Sequence, residues 1–333
     1  MIVDDLTLVN LIGKSSFGEI YLTSKNGDSR QFATKVIDKL SVNDTEAKKY
    51  IDNELSILKN INHPNIVNLI EVKESEEKLY IVEEYCNGGG LDKFVEKYKA
   101  ENKKGLPEEM VQYIMRQILS AMEYLSNKEI MHRQIKLDNI LIHYEDEDDR
   151  KNNNIMKATI KLIDFSFAII LKKGELTDTI LGSPINMSPT LLHKLNNDPE
   201  YKDVGYDEKE DIWSLGTICY ELLMGRSAFE SDNMDDLYKK INKGDYYVPI
   251  TFSKETVSFL NDMLQYDSNK RLSFNELNNH KFLKKNIKEF TKIELDGSKN
   301  MECKKNSQIL LNTKSNESFW ILLEMDFKKF FEE

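Results

Sequence analysis

At Gly88-Gly89-Gly90 the apolar pattern of the chain changes period, and that change constrains the fold more than any other feature. Before it, residues 6–40 alternate apolar and polar side chains (LTLVNLIG, EIYL, FATKVI), with glycines and Asn-Gly-Asp at the breaks. This is the pattern of an antiparallel meander. Two further strand-like runs, IVNLIEV and KLYIVEEYC, lead up to the glycines. Between meander and runs, Tyr50, Ile51, Leu55 and Leu58 take helical spacing from Asp44 to Asn60, and His63-Pro64 ends the segment. After the glycines, helix-rich sequence continues to about residue 283. The expectation is an α+β chain in two lobes: an antiparallel sheet with one helix, residues 6–85, a connection at 84–90, and a mostly helical lobe, 91–283.

Within the second lobe, LPEEMVQYIMRQILSAMEYL and DIWSLGTICYELLMG read as helices. The latter carries too few charges in its middle to lie on a surface and is expected at the centre of the lobe. EDEDDRKNNN (145–154) and KLNNDPEYKDVG (194–205) are charged, Asn-rich and poor in apolar residues, so they read as solvated loops. Residues 284–333 are expected to form a helical extension, because Phe319, Leu322, Leu323, Phe327 and Phe330 share one helical face. Docking of that face on the chain's own lobe is favoured over binding a partner.

The net charge of −11 argues against a generic binder of nucleic acid or acidic membrane. The three cysteines, Cys86, Cys219 and Cys303, show no CxxC or Cys/His metal spacing, which points to a reducing compartment. The N-terminal residues lack a basic region followed by an apolar stretch, and no apolar run is long enough to cross a bilayer. A cytoplasmic location is the expectation.

Chemistry-bearing motifs follow in order. Gly13-Lys14-Ser15-Ser16-Phe17-Gly18 lies between two strands, where a glycine-bearing hairpin can bring backbone N–H groups close to phosphates. Turn geometry alone explains such a hairpin equally well. Lys35 stands on a strand and Glu54 on the predicted helix, at a spacing that allows an ion pair aiming an ammonium at phosphate oxygens, although two solvent-exposed side chains are the commoner outcome for such residues. Then come IMHRQIKLDNILI (130–142), IKLIDFSFA (160–168) and GSPINMSP (182–189), with Arg271 in NKRLSFNEL.

This ordered set resembles the protein kinases across roughly residues 6–283 and implies their bilobal fold. EYCNGG, the insert before KLIDFSFA and the GSPxxMSP ending resemble most the ULK-type, autophagy-initiating serine/threonine kinases. The resemblance implies ATP and Mg²⁺ as cofactors and a protein substrate or protein partner, another kinase included. It makes Ile12, Ile20, Ala33, Leu141 and Ile163 the walls of an adenine pocket. Gly13, Ser15 and Gly18 would cover the phosphates, with Glu84 to Cys86 as the hinge and Asn139 and Asp164 as metal ligands. Lys136 is the serine/threonine form of the catalytic loop. Leu58, Leu69, His132 and Phe165 would stack between the lobes on Asp211, and Thr179 would be an activation-segment phosphosite received by Arg133, with Thr177 as its neighbour and competitor.

Five positions depart from that pattern. Gln134 stands where the catalytic aspartate is expected, and an amide has no useful basicity near neutral pH; general-base assistance is typically worth about 10²–10⁴-fold. Ser166 replaces the glycine of the metal-binding turn, restricting the backbone. Glu83 puts a carboxylate behind the adenine, with Lys35 as its expected partner in competition with Glu54. Gly90 removes an acidic residue that would accept from the ribose. Thr190 replaces the glutamate that would pair with Arg271, leaving Glu200, Glu208 or Glu210 to compensate. Together these imply a pseudokinase that binds ATP and acts through contacts. The alternative is a slow serine/threonine kinase, which the intact Lys35, Glu54, Lys136, Asn139 and Asp164 favour.

Overall fold

In the computed structural model, residues 2–42 and 45–284 are described; the expected extension, with its helical face from Phe319 to Phe330, lies outside them. Strands β1 (Ile2–Val3), β2 (Leu6–Ser15), β3 (Gly18–Lys25) and β4 (Asp28–Asp38) form the meander that alternation predicts, and helix α1 (Thr45–Asn60) leaves it. Strands β5 (Leu69–Glu74) and β6 (Lys78–Glu84) complete a sheet in the order β1-β2-β3-β4-β6-β5. Every pairing in it is antiparallel. Leu6, Phe32 and Val82 fill one small core of this lobe, and Ile37, Ile51 and Ile81 fill another between sheet and α1.

From Leu91 the chain is largely helical. Helices α2 (Leu91–Asn102) and α3 (Glu108–Asn127) precede the short strands β7 (Ile130–Met131) and β8 (Ile140–His143), which flank the catalytic-loop sequence. Helix α4 (Glu147–Lys151) and strands β9 (Thr159–Leu162) and β10 (Ile169–Ile170) follow. Next are α5 (Pro189–Leu195), α6 (Lys209–Met224), α7 (Met234–Lys243), α8 (Lys254–Met263), α9 (Phe274–Asn278) and α10 (Lys281–Lys284). The pairs β8–β9 and β7–β10 hold the catalytic loop against the metal-turn segment.

Helix α6 is the predicted central helix, buried from Glu210 to Tyr220 except at Ser214, and it ends where Gly225 takes a left-handed φ of 64°. Trp213 on α6 stacks on Phe229 at 5.7 Å. Burying each such large apolar side chain contributes about 1.5–3 kcal/mol.

Both expected loops are more ordered than their composition suggests. The 145–154 segment carries α4, because the Asp146 carboxylate accepts from the N–H groups of Asp148 and Asp149 and so caps a helix start. In the 194–205 segment, Lys194 is buried and donates to the carbonyls of Tyr201, Lys202 and Val204. His193 joins this arrangement through Asp198 Oδ2 at 2.7 Å. The charges there hold a loop closed on itself, which composition alone cannot distinguish from a solvated face.

Candidate active site

The strand register places the first half of the site. Ile20 on β3 lies opposite both Gly13 on β2 and Lys35 on β4, while Ala33 on β4 lies opposite Glu83 on β6. Gly90 forms an isolated antiparallel bridge to Leu141. Ile12 is exposed and Ile20, Ala33, Leu141 and Ile163 are half-buried, whereas Ile140, Ile142 and Leu162 beside them are buried. Apolar side chains thus stay accessible at these positions, next to neighbours that are sealed. Cys86 is buried, and burial pushes its thiol up to about 12, so it serves packing. Glu84 accepts from Lys161 Nζ at 2.7 Å and from the Asn68 N–H at 2.8 Å, which fixes the connection between lobes.

Lys35 Nζ donates to Glu54 Oε1 at 2.5 Å, with Asp164 Oδ1 at 4.0 Å. Burial works against the Lys35 charge, but the carboxylates of Glu54, Asp164 and Glu83 outweigh it and hold the ammonium above its ordinary range. Glu83 is therefore not the ion-pair partner of Lys35 that its position suggested. It acts on Lys35 through space, and α1 keeps its pair. Burial pushes the Glu83 carboxyl up to about 7, with Lys35 pulling the other way.

Ser166 has a role that its sequence position does not reveal. Its Oγ donates to Glu54 Oε2 at 3.2 Å and accepts from Lys35 Nζ at 3.3 Å, and the side chain is fully buried. Its backbone N–H donates to Asp164 Oδ1 at 3.2 Å. The expected restriction on the backbone carries no strain at Ser166, because the left-handed conformation falls on Asp164 (φ 63°) instead. Asn53 Nδ2 on α1 donates to the Ala168 carbonyl, adding a further tie between the lobes. At the hairpin tip, Phe17 packs near Tyr50 and Phe167, with ring centroids about 6 Å away, closing the loop over the same region.

The catalytic-loop side is equally ordered. Asp211 accepts from the N–H groups of His132 (2.8 Å) and Arg133 (2.9 Å). His132 packs edge-on to Phe165 at 4.9 Å, and burial lowers its pKa to about 4, so the ring is neutral. Leu58 and Phe165 lie in the main core with Leu69 against it. Asn139 Nδ2 donates to the Gln134 carbonyl at 2.9 Å and to Gln134 Oε1 at 3.2 Å. The Asn139 amide nitrogen is thereby used, and its oxygen is the end left for a cation. Burial disfavours the Asp164 charge, but Lys35 and the Ser166 donors hold its pKa below the usual value. An ionised carboxylate and an amide oxygen are hard donors that fit Mg²⁺ sharing its coordination with phosphates. Among the described residues no cluster of three or more His, Cys, Asp or Glu side chains could hold a metal by itself.

Gln134, Lys136, Leu181, Gly182 and Ser183 line one groove. Thr177 and Thr179 share another depression with Arg133, and with Lys49 of α1, a cation that the motifs did not indicate. Arg133 Nε donates to the Phe167 carbonyl at 2.7 Å. Of the three candidates to balance Arg271, the structure selects Glu210, whose Oε1 lies 3.3 Å from Nη1. Glu208 instead accepts from Ser126. Among the described residues no helix is long and apolar enough to cross a membrane.

Comparison with known proteins agrees with this geometry. The protein kinase domain family matches residues 6–283. The chain is 32% identical over 289 residues to the serine/threonine-protein kinase atg1 of Dictyostelium discoideum, covering 85% of this chain and 40% of that protein. It is 35% identical over 279 residues to calcium-dependent protein kinase 5 of Plasmodium berghei, covering 81% of this chain and 44% of that protein. The match to the serine/threonine-protein kinase ATG1 of Kluyveromyces marxianus is 28% over 319 residues, covering 86% and 37%. The chain thus spans less than half the length of these relatives.

Proposed function

Since the chain belongs to the protein kinase family, we propose that it binds ATP in the cleft between its lobes and acts mainly as a pseudokinase, through contacts with a protein partner. The observation that carries this reading is the contrast across the cleft. The nucleotide side is assembled, with Lys35 on Glu54 at 2.5 Å and an ionised Asp164 beside them. On the transfer side, Gln134 offers a neutral amide engaged by Asn139.

When bound, Mg²⁺ would neutralise charge on the transferring phosphoryl group. Asn139 and Asp164 would hold the ion, Lys35 would position phosphate oxygens, and Glu54 and Ser166 would hold Lys35. Gln134 can orient a substrate hydroxyl as a hydrogen-bond acceptor but cannot take its proton. The partner would meet the groove lined by Gln134, Lys136 and Leu181. Another kinase is one partner of suitable chemistry, and the cytoplasm is the compartment this reading assigns.

Thermal-shift titration with ATP, with and without Mg²⁺, tests the binding half, because a ligand of the native state raises its apparent stability by mass action. The expected result is a saturable rise, larger with Mg²⁺. A flat response in both conditions would remove ATP from the reading. Mg-ATP-dependent phosphorylation that survives exhaustive purification of the chain and is abolished by Lys35→Ala would replace the pseudokinase reading with the second one, a slow serine/threonine kinase. That second reading draws on the same assembled Lys35, Glu54 and Asp164.

A further inference from the structure

Three consecutive residues, Ser166 to Ala168, meet one face of α1. Tyr50, Asn53 and Glu54 stand at i, i+3 and i+4 of that helix, the spacing that puts side chains on one side. Glu54 Oε2 accepts from Ser166 Oγ at 3.2 Å, the Tyr50 ring packs edge-on to Phe167 at 5.3 Å, and Asn53 Nδ2 donates to the Ala168 carbonyl. The neighbouring side of α1 is also taken: Ile51 packs with Ile37 and Ile81 of the sheet, and Leu55 lies against them. The two oxygens of Glu54 are divided between the lobes. Oε1 takes the Lys35 ammonium from the sheet at 2.5 Å, and Oε2 takes the Ser166 hydroxyl from the segment that follows β9. A phosphate that drew Lys35 away would leave the Oε2 bond in place.

From this we propose that residues 166–168 latch α1 to the second lobe, so that the position of the helix is set by the chain itself and not by nucleotide. The Ser166 hydroxyl is the centre of the latch, and Asn53 and Tyr50 extend it along the helix. A glycine at 166 would leave Lys35 as the one side-chain donor to Glu54 among the described residues, and α1 would then follow whatever Lys35 binds. With the latch, α1 is a constant surface toward a protein partner, whether the cleft is filled or empty. The inference goes beyond the ATP-binding reading and does not require it.

The test is amide hydrogen exchange of the whole chain, read by mass spectrometry without ligand and with saturating Mg-ATP. In the wild type, α1 amides should exchange at the same rate, within about twofold, in both conditions. Ser166→Ala, which removes the hydroxyl and keeps the Cβ, should speed α1 exchange roughly tenfold without ligand, the worth of one hydrogen bond to a charged group. Mg-ATP should then slow it again. Asn53→Leu, at a separate tie, should act in the same direction. Glu210→Leu, which destabilises the chain away from the latch, should leave α1 near its wild-type rate. A wild-type α1 that slows roughly tenfold on adding Mg-ATP would overturn the inference. So would a Ser166→Ala variant whose α1 exchanges as in the wild type. Equal acceleration by Ser166→Ala and Glu210→Leu would make α1 part of the global unfolding unit, with no local opening for a latch to hold, and would overturn it too. If the wild type shows no thermal shift with Mg-ATP, the ATP reading falls by itself, and the unliganded comparison of wild type, Ser166→Ala and Asn53→Leu still decides the latch.

Discussion

Arg271 Nη1 donates to Glu210 Oε1 at 3.3 Å, and both side chains are sealed from solvent. Thr190 cannot supply a carboxylate, so α6 supplies it from its own first turn. Arg271 also donates to the carbonyls of Lys209 (2.8 Å) and Gln265 (2.9 Å), and its guanidinium lies 5.1 Å from the Trp213 ring centre. Arg271 is thus balanced from α6 and not from position 190.

Removing one member of a buried pair strands the other charge, which typically costs about 3–5 kcal/mol. Glu210→Leu is expected to lower unfolding stability by that much in urea. Combined with Arg271→Met, it should cost less than the sum of the two single changes. A Glu210→Leu loss under about 1 kcal/mol would show that the backbone carbonyls alone satisfy Arg271.

Ser166→Gly, which returns the metal-binding turn to the family sequence, is expected to destabilise this chain. It deletes the hydroxyl shared by Lys35 and Glu54, and hydrogen bonds to charged groups contribute about 1.5–3 kcal/mol net. The thermal midpoint should fall by several degrees. An unchanged or higher midpoint would mean that the hydroxyl is incidental to the ion pair.

Glu83 makes stability fall with rising pH. Its folded pKa, about 7, is raised above the ordinary 4.5, so the folded chain holds a proton that the unfolded chain releases within this window. The contribution is full below about 4.5 and is lost as pH rises through about 7. Burial also pushes Asp211 and Glu221 up to about 7, so the total effect is shared. Glu83→Gln should make the decline in thermal midpoint between those pH values shallower than in the wild type. Parallel curves would exclude Glu83 from the effect.

Gln134→Asp restores a group able to accept the hydroxyl proton beside an otherwise assembled site. Transfer to a generic serine/threonine peptide should rise about 10²–10⁴-fold, the usual worth of a positioned base. Should reversion produce no transfer, the block lies elsewhere in the cleft, with Glu83 as the first position to revert next.

The two-lobe fold was readable because its information is local: period-two alternation before Gly88 and helical spacing after it survive without tertiary contacts. The pairing of Lys35 with Glu54 was readable through motif order. The roles of the departures were not. A serine in place of glycine reads as a backbone change, whereas Ser166 works through a hydroxyl that meets residues remote in sequence. Glu83 was given the wrong relation to Lys35 because strand register puts them near one another, while only the packing of α1 decides which carboxylate the ammonium meets. Lys194 and Asp146 show the same limit, since a charged segment looks solvated until its acceptors and donors are located.

The two glycines of the first hairpin carry different kinds of history. A Cβ on Gly18 would lie 2.2 Å from the Val36 carbonyl oxygen, so this glycine is demanded by the seating of β3 on β4 whether or not a nucleotide ever enters. A Cβ on Gly13 would meet nothing closer than Ile20 at 3.7 Å, ordinary contact. If no nucleotide enters the cleft, Gly13 is free to drift while Gly18 stays. A surviving Gly18 is then a record of the sheet's architecture, and Gly13 is the one whose persistence would testify to use of the cleft.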